Sequence, residues 1–168
     1  MDNNFFPVFL DLTGRKVLVY GAGNIAARRV ELLLRFGAEI TIIAPEVMPK
    51  MEEVIQKFKQ GEFEKSGGRI KAVEKDVYRQ GTISEDVDFV MAATDDCEVN
   101  EGIFRECRHR ELLVNVITDK EKCNFHFPVI SCPFTVSPEY EINLQLNNDY
   151  IFVKNLSSNW EADKGLLM

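Results

Sequence analysis

Metal-ligand pairs, excess positive charge and long apolar runs are all missing from this chain, and each absence removes a class of function. Four cysteines, Cys97, Cys107, Cys123 and Cys132, fall at separations that match neither C-x-x-C nor any zinc pattern, and only two histidines could assist them. Cys107 and His109 lie too close along the chain to act as facing helical ligands. No metal site is expected, and the thiols read as free and buried in a reducing cytoplasm. Twenty Lys and Arg stand against 27 Asp and Glu, a net charge of −7, which argues against nucleic acid as a partner. No extended stretch interleaves basic residues with aromatic ones. No apolar run approaches membrane-spanning length. The apolar opening, Asn4 to Leu10, is short, is flanked by Asp2 and Asp11 and lacks a basic leader, so it reads as a first edge segment rather than a signal peptide. Internal repeats and low-complexity tracts are absent too. A chain of 168 residues remains, 45% hydrophobic and 28% charged, the profile of one soluble domain with at most a small appendage.

What is present is a glycine turn in an informative context. Val17 to Tyr20 is a continuous apolar run, as a strand buried on both faces requires. It leads directly into Gly21-Ala22-Gly23-Asn24-Ile25-Ala26, the G-x-G-x-x-A form of a dinucleotide fingerprint. Gly21 permits the tight turn, Gly23 lets backbone approach a pyrophosphate, and Ala26 lets the following helix pack close to the sheet. The N–H groups of Asn24 and Ile25 open that helix and face the phosphates. Ala26, Val30, Leu33 and Leu34 recur at helical spacing, Gly37 sits where a left-handed cap belongs, and Glu39 to Ala44 reads as the next strand, ending at Pro45.

The alternation continues. Met51, Val54, Ile55 and Phe58 mark a helix, Gly61 to Gly68 a loop, Ile70 to Val73 a third strand and Val87 to Ala93 a fourth. Val99, Ile103 and Cys107 mark a helix from Glu98 to His109, and Leu112 to Ile117 a fifth strand. This pattern predicts an α/β fold, a Rossmann-like doubly wound parallel sheet, over residues 1–118. Past it the pattern changes: Val129 to Val136, Glu141 to Leu146 and Tyr150 to Val153 read as strands, with a turn at Ser137-Pro138 and no periodicity from Asn155 onward. Residues 119–168 therefore form a small, β-rich C-terminal segment.

Ligands of doubly wound sheets sit at the carboxyl ends of the strands, where Gly21 to Asn24, Ala92 to Asp96 and Asn115 to Asp119 converge. Thr94 and Asp95 end a buried strand in small residues; they read as cofactor contacts, as caps of the next helix, or as both. Asp119 has two readings, a base beside the nicotinamide end and an exposed loop acid among Lys120, Glu121 and Lys122. Arg28 and Arg29 oppose the helix dipole, which suits either an anion nearby or solvated side chains. The tip of the second strand, Ala44-Pro45, offers no acid to an adenosine ribose, so NAD and NADP are not separated by that signal.

Together these residues resemble precorrin-2 dehydrogenase, which is also the N-terminal module of siroheme synthase. The likeness runs over residues 5–130: Phe9 to Val19 into Gly21-Ala22-Gly23, then Ala26 and Arg28-Arg29, Leu32 to Leu34, Gly37-Ala38, Ile43-Ala44-Pro45, Ala92 to Asp96 with Val99-Asn100, and Asn115-Val116 through Phe125 to Pro128. It implies NAD-dependent oxidation of the tetrapyrrole precorrin-2 to sirohydrochlorin, on the route to siroheme or cobalamin, by a cytoplasmic homodimer that exchanges strands between Phe127 and Leu146. Some relatives also insert iron. The cofactor contacts it implies are Gly21, Gly23, Asn24, Ile25, Ala44, Pro45, Thr94, Asp95 and Asn115, and the catalytic aspartate, acting as a base, is Asp119. The family's aspartate falls at Thr118 by spacing, and Asp119 is one residue later. Arg28, Arg29 and Lys120, with Lys122, are the cations for an octacarboxylate substrate. The family's Ser/Gly-rich segment and helical region after the last strands are not matched, so the C-terminal region reads as shortened. Two competing readings are a non-catalytic module that binds a dinucleotide or tetrapyrrole, and a nucleotide-sensing domain of a transport regulator; the latter does not share the segment from Asn115 to Pro128.

Overall fold

The apolar run from Val17 to Tyr20 forms the core of strand β1 (Lys16–Tyr20), and every residue after Lys16 in it is buried. The computed structural model describes residues 8–127, 129–130, 141–146 and 149–154. Helix α1 (Asn24–Arg35) buries Ala26, Val30, Leu33 and Leu34, the positions given by the helical spacing. It ends as expected at Gly37, whose φ is +82°. The N–H of Ala38 donates to the Leu33 carbonyl at 3.2 Å and that of Gly37 to Leu34 at 3.1 Å, the paired bonds that close a helix through a left-handed residue.

Strands β2 (Glu39–Ile43), β3 (Arg69–Glu74), β4 (Phe89–Ala92) and β5 (Leu113–Val116) join β1 in one parallel sheet of order β3-β2-β1-β4-β5. The predicted doubly wound sheet is therefore present. Its order reverses between β1 and β4, and that reversal opens a crevice beyond the strand ends. Helix α2 (Pro49–Lys59) packs against α1. Helix α3 (Cys97–His109) contributes Ile103 and Cys107 to a cluster with Leu18, Tyr20, Val90, Ala92, Val114 and Val116. Because strand side chains alternate, the buried Val17, Val19, Ile40, Ile42 and Met91 face the other side.

The crossover between β3 and β4 is a loop without a helix, since residues 75–88 are rich in turn formers. Asp76 pairs with Arg79 at 2.8 Å, Gly81 takes φ +81°, and Tyr78 and Ile83 pin the loop onto the α3 cluster. The opening segment is no edge strand where it is described: residues 8–10 are exposed and carry no secondary structure. Cys97 is exposed rather than buried, whereas Cys107 and Cys123 are buried as expected. Cys132 lies outside the described residues, as do the turn at Ser137-Pro138 and the stretch from Asn155 onward.

The chain divides into two compact units, residues 1–125 and 126–168. Residues 119–125 belong to the first because they close the open edge of β5. Asn124 receives the Val114 N–H at 2.7 Å and donates to Leu112 O at 2.8 Å through its side chain, while its own N–H meets Val114 O at 3.1 Å. An edge strand left unpaired invites association, and this segment covers it. In the second unit β6 (Val129–Ile130), β7 (Glu141–Leu146) and β8 (Asp149–Lys154) form an antiparallel sheet in the order β6-β7-β8.

Candidate functional site

Backbone hydrogen bonds tie the strand ends into one rim. Gly21 N–H donates to Ile43 O at 2.8 Å, Ala93 N–H to Tyr20 O at 2.8 Å, Ile117 N–H to Ala92 O at 3.1 Å and Met48 N–H to Ala22 O at 3.2 Å. The first two glycines of the fingerprint have different physical reasons to be there. Gly21 takes φ +103°, and a Cβ on it would sit 2.3 Å from the Ala93 carbonyl oxygen. Gly23 has an ordinary backbone, φ −79° and ψ −178°, and a Cβ on it would meet nothing within 4 Å. That open space lies at the N-terminus of α1, whose first turn has no acidic residue and no side-chain cap. Uncapped N–H groups, the positive end of the dipole and free space beside Gly23 together fit a diphosphate. Asn24 and Ile25 begin the helix and are exposed there.

On one side of the turn lie Ala44 and Pro45. They help to line a cavity of about 420 Å³ with Glu46, Glu52, Val73, Glu74 and Lys75. None of the other predicted residues reaches it. The strand tip itself has no acid, but Glu46 and Glu74 bring carboxylates to the same cavity, one from beyond the proline and one from β3.

On the other side, the loop after β4 is held by a residue that the site prediction did not include. Asn100 is 1% exposed, and its Oδ1 accepts from the Thr94 N–H at 3.2 Å and the Thr94 hydroxyl at 2.7 Å. Its Nδ2 donates to Thr94 O at 3.0 Å and to Thr118 Oγ1 at 3.4 Å. One buried amide thus joins the loops after β4 and β5. The signal for it was a polar residue on the buried stripe of α3, in step with Ile103 and Cys107. The helix cap is neither Thr94 nor Asp95 but Asp96, whose Oδ1 accepts from the N–H of Glu98 at 2.8 Å and of Val99 at 3.1 Å. Asp95 is exposed at the rim.

Beyond β5, Asp119 opens a short 3₁₀ turn, Lys120–Lys122. Its Oδ1 accepts from the Glu121 N–H at 3.0 Å and its Oδ2 lies 3.2 Å from Lys122 Nζ. The Lys122 ammonium, followed by the Glu121 N–H, holds its carboxyl below the usual carboxylate range. Lys122 also pairs with Glu101 of α3 at 2.6 Å, so Lys122 is a structural cation. Lys120 is exposed and makes no ion pair among the described residues. Asn115 is buried at 7% exposure, and its amide donates to Phe125 O at 3.0 Å, within the closure of the β5 edge rather than on the rim. Arg28 is exposed on α1 with no ion pair among the described residues; Arg29 is half-buried, and burial lowers its pKa.

Comparison with known proteins agrees with this geometry. Residues 8–129 match a family model described as "Putative NAD(P)-binding". Siroheme synthase 1 of Serratia proteamaculans is 41% identical over 127 residues, which cover 76% of this chain and 24% of that protein. Siroheme synthase of Mannheimia succiniciproducens is 39% identical over the same shares. The chain therefore spans about a quarter of the length of these relatives. Among solved structures, SirC, a precorrin-2 dehydrogenase, superposes with a TM-score of 0.58 at 30% identity, covering 75% of this chain and 56% of SirC.

Proposed function

The chain belongs to this NAD(P)-binding family, and from that premise we propose that it is an NAD-dependent dehydrogenase converting precorrin-2 to sirohydrochlorin. The observation that carries the reading is the glycine turn at the reversal of strand order, with open space at Gly23 and an uncapped helix behind it. The identity to siroheme synthases and the likeness to SirC support precorrin-2 as the substrate. Bound NAD would accept a hydride, two electrons with one proton, from the substrate's ring system, leaving one proton for a base.

The chain's residues then take these roles. Gly21, Gly23, Asn24 and Ile25 form the diphosphate turn, Ala44 and Pro45 the adenosine side, and Thr94 and Asp95 the far rim. The adenosine-side cavity carries Glu46, Glu52 and Glu74 against Lys75 alone. That excess of carboxylates repels a 2′-phosphate and favours NAD over NADP. Asn115 supports the cofactor side indirectly, by anchoring the segment beside β5. Asp119 is the proton acceptor: like any aspartate it is ionised at neutral pH, and Lys122 and a backbone N–H hold its pKa lower still. Arg28, Arg29 and Lys120 meet substrate carboxylates. The protein works as a cytoplasmic homodimer in this reading, which light scattering on the purified chain would test.

Anaerobic incubation with precorrin-2 and NAD should yield sirohydrochlorin and NADH in equal amounts. No turnover at concentrations of precorrin-2 that demonstrably bind would sink the enzyme reading. It would leave the non-catalytic binding module, which Asp119's engagement as a cap also favours.

A further inference from the structure

The orientation of the Asn100 amide is fixed by two backbone neighbours. The Thr94 N–H, 3.2 Å away, must face the oxygen, and the Thr94 carbonyl, 3.0 Å away, must face the nitrogen. The second hydrogen of Nδ2 is then directed to Thr118 Oγ1, at 3.4 Å. A hydroxyl whose oxygen accepts there keeps its own hydrogen for another partner, and among the described residues no acceptor takes it. Thr118 is exposed at the end of β5.

The position of that hydroxyl follows from the sheet. A dinucleotide with its diphosphate at the start of α1 has its adenosine toward β2, where Ala44 and Pro45 line the cavity. Its other half lies toward β4 and β5, the two strands whose loops Asn100 joins. An alcohol cannot serve as a base at neutral pH, but it can donate to a ribose hydroxyl or to a carboxamide oxygen.

We propose that Thr118 contacts the nicotinamide–ribose half of the bound cofactor as a hydrogen-bond donor, and that Asn100 is the positioning residue that fixes it as one. The proposal rests on the dinucleotide reading above and adds to it a residue that distinguishes the two halves of the cofactor.

The test compares NADH with ADP, which lacks both the nicotinamide and its ribose, by titration calorimetry on the full chain. Thr118→Val removes the hydroxyl from an exposed position. It should weaken NADH about fivefold to tenfold, as for one lost hydrogen bond, and leave ADP within about twofold. Thr118→Ser should bind both like the parent. Asn100→Asp cannot donate to Thr118 and should give the same NADH-selective loss, with little further loss when Thr118→Val is added. If Asn100→Asp does not fold, the two Thr118 variants decide the matter alone. Equal weakening of both ligands, or none, by Thr118→Val overturns the proposal while the dinucleotide reading stands. Failure of the parent to bind either ligand overturns both.

Discussion

Replacing Gly21 by alanine and Gly23 by aspartate should separate two properties that a glycine fingerprint merges. At Gly21 the new Cβ would lie 2.3 Å from Ala93 O, 2.6 Å from Ala93 C and 3.0 Å from Thr94 N. Ordinary contact with carbon begins near 3.4 Å, so the tip of β4 must retreat by about 1 Å. It is not free to do so. Ala93 N–H is bonded to Tyr20 O at 2.8 Å, and Ala92 O receives the Ile117 N–H at 3.1 Å. The backbone adds its own cost, since φ +103° is a conformation that L-residues hold only under strain of about 1–3 kcal/mol. With about 1–3 kcal/mol for overpacking, the melting temperature of Gly21→Ala should fall by roughly 10 °C.

Gly23→Asp should do the opposite. Its backbone is already extended, its Cβ meets no atom, and an aspartate there would cap an uncapped helix. A gain of about 0.3–1 kcal/mol raises the melting temperature by roughly 1–4 °C. The same carboxylate occupies the anion site, and NAD affinity should drop about a hundredfold or more through like-charge repulsion at short range. Thermal melts and calorimetric titration with NAD read both effects on the same samples. A Gly21→Ala protein that melts within 2 °C of the parent refutes the close approach to Ala93. A Gly23→Asp protein that binds NAD normally refutes the crevice.

Asp119→Asn keeps the cap and loses only the charge opposite Lys122, so the melt should move little while turnover drops at least tenfold; unchanged turnover removes Asp119 from proton transfer. Lys16 and Ser84 hold the Asp86 carboxyl at about 2, against an ordinary value of 3.8. Because the folded pKa is the lower one, this stabilisation is complete above the unfolded value and is lost as the pH falls through about 2. Asp86→Asn should therefore melt below the parent near neutral pH, with the gap closing between about pH 4 and pH 2; a gap constant over that range contradicts the pairing. Burial pushes the Cys107 thiol up to about 12, whereas Cys97 is exposed at the start of α3. Iodoacetamide at about pH 8 should label Cys97 and spare Cys107 in the native protein, as peptide mapping would show; equal labelling would contradict the packing of α3 on the sheet.

What could be read from the chain, and what could not, divides along a physical line. Strands β1 and β2, helix α1 and the cap at Gly37 announce themselves because each depends on neighbours in sequence: an apolar run, a spacing of three and four, a residue free to take positive φ. The residues that organise the rim depend on partners far along the chain. Asn100 is tied to Thr118, and Asn115 to Phe125, through side-chain geometry that no local pattern encodes. Asn100 was nonetheless visible in part. It occupies the stripe of Ile103 and Cys107, where a polar residue must find partners or cost about 1–3 kcal/mol. Asn115, which the resemblance implies as a cofactor contact, turns inward because β5 is an edge strand and needs its flank closed. The Asn115-to-Phe125 motif therefore has a structural cause that holds whether or not the chain turns over substrate. Recurrence of that motif in a relative attests the edge closure. Evidence for catalysis has to come from the rim itself, where Thr94, Thr118 and Asp119 are the residues whose chemistry can be tested apart from the fold.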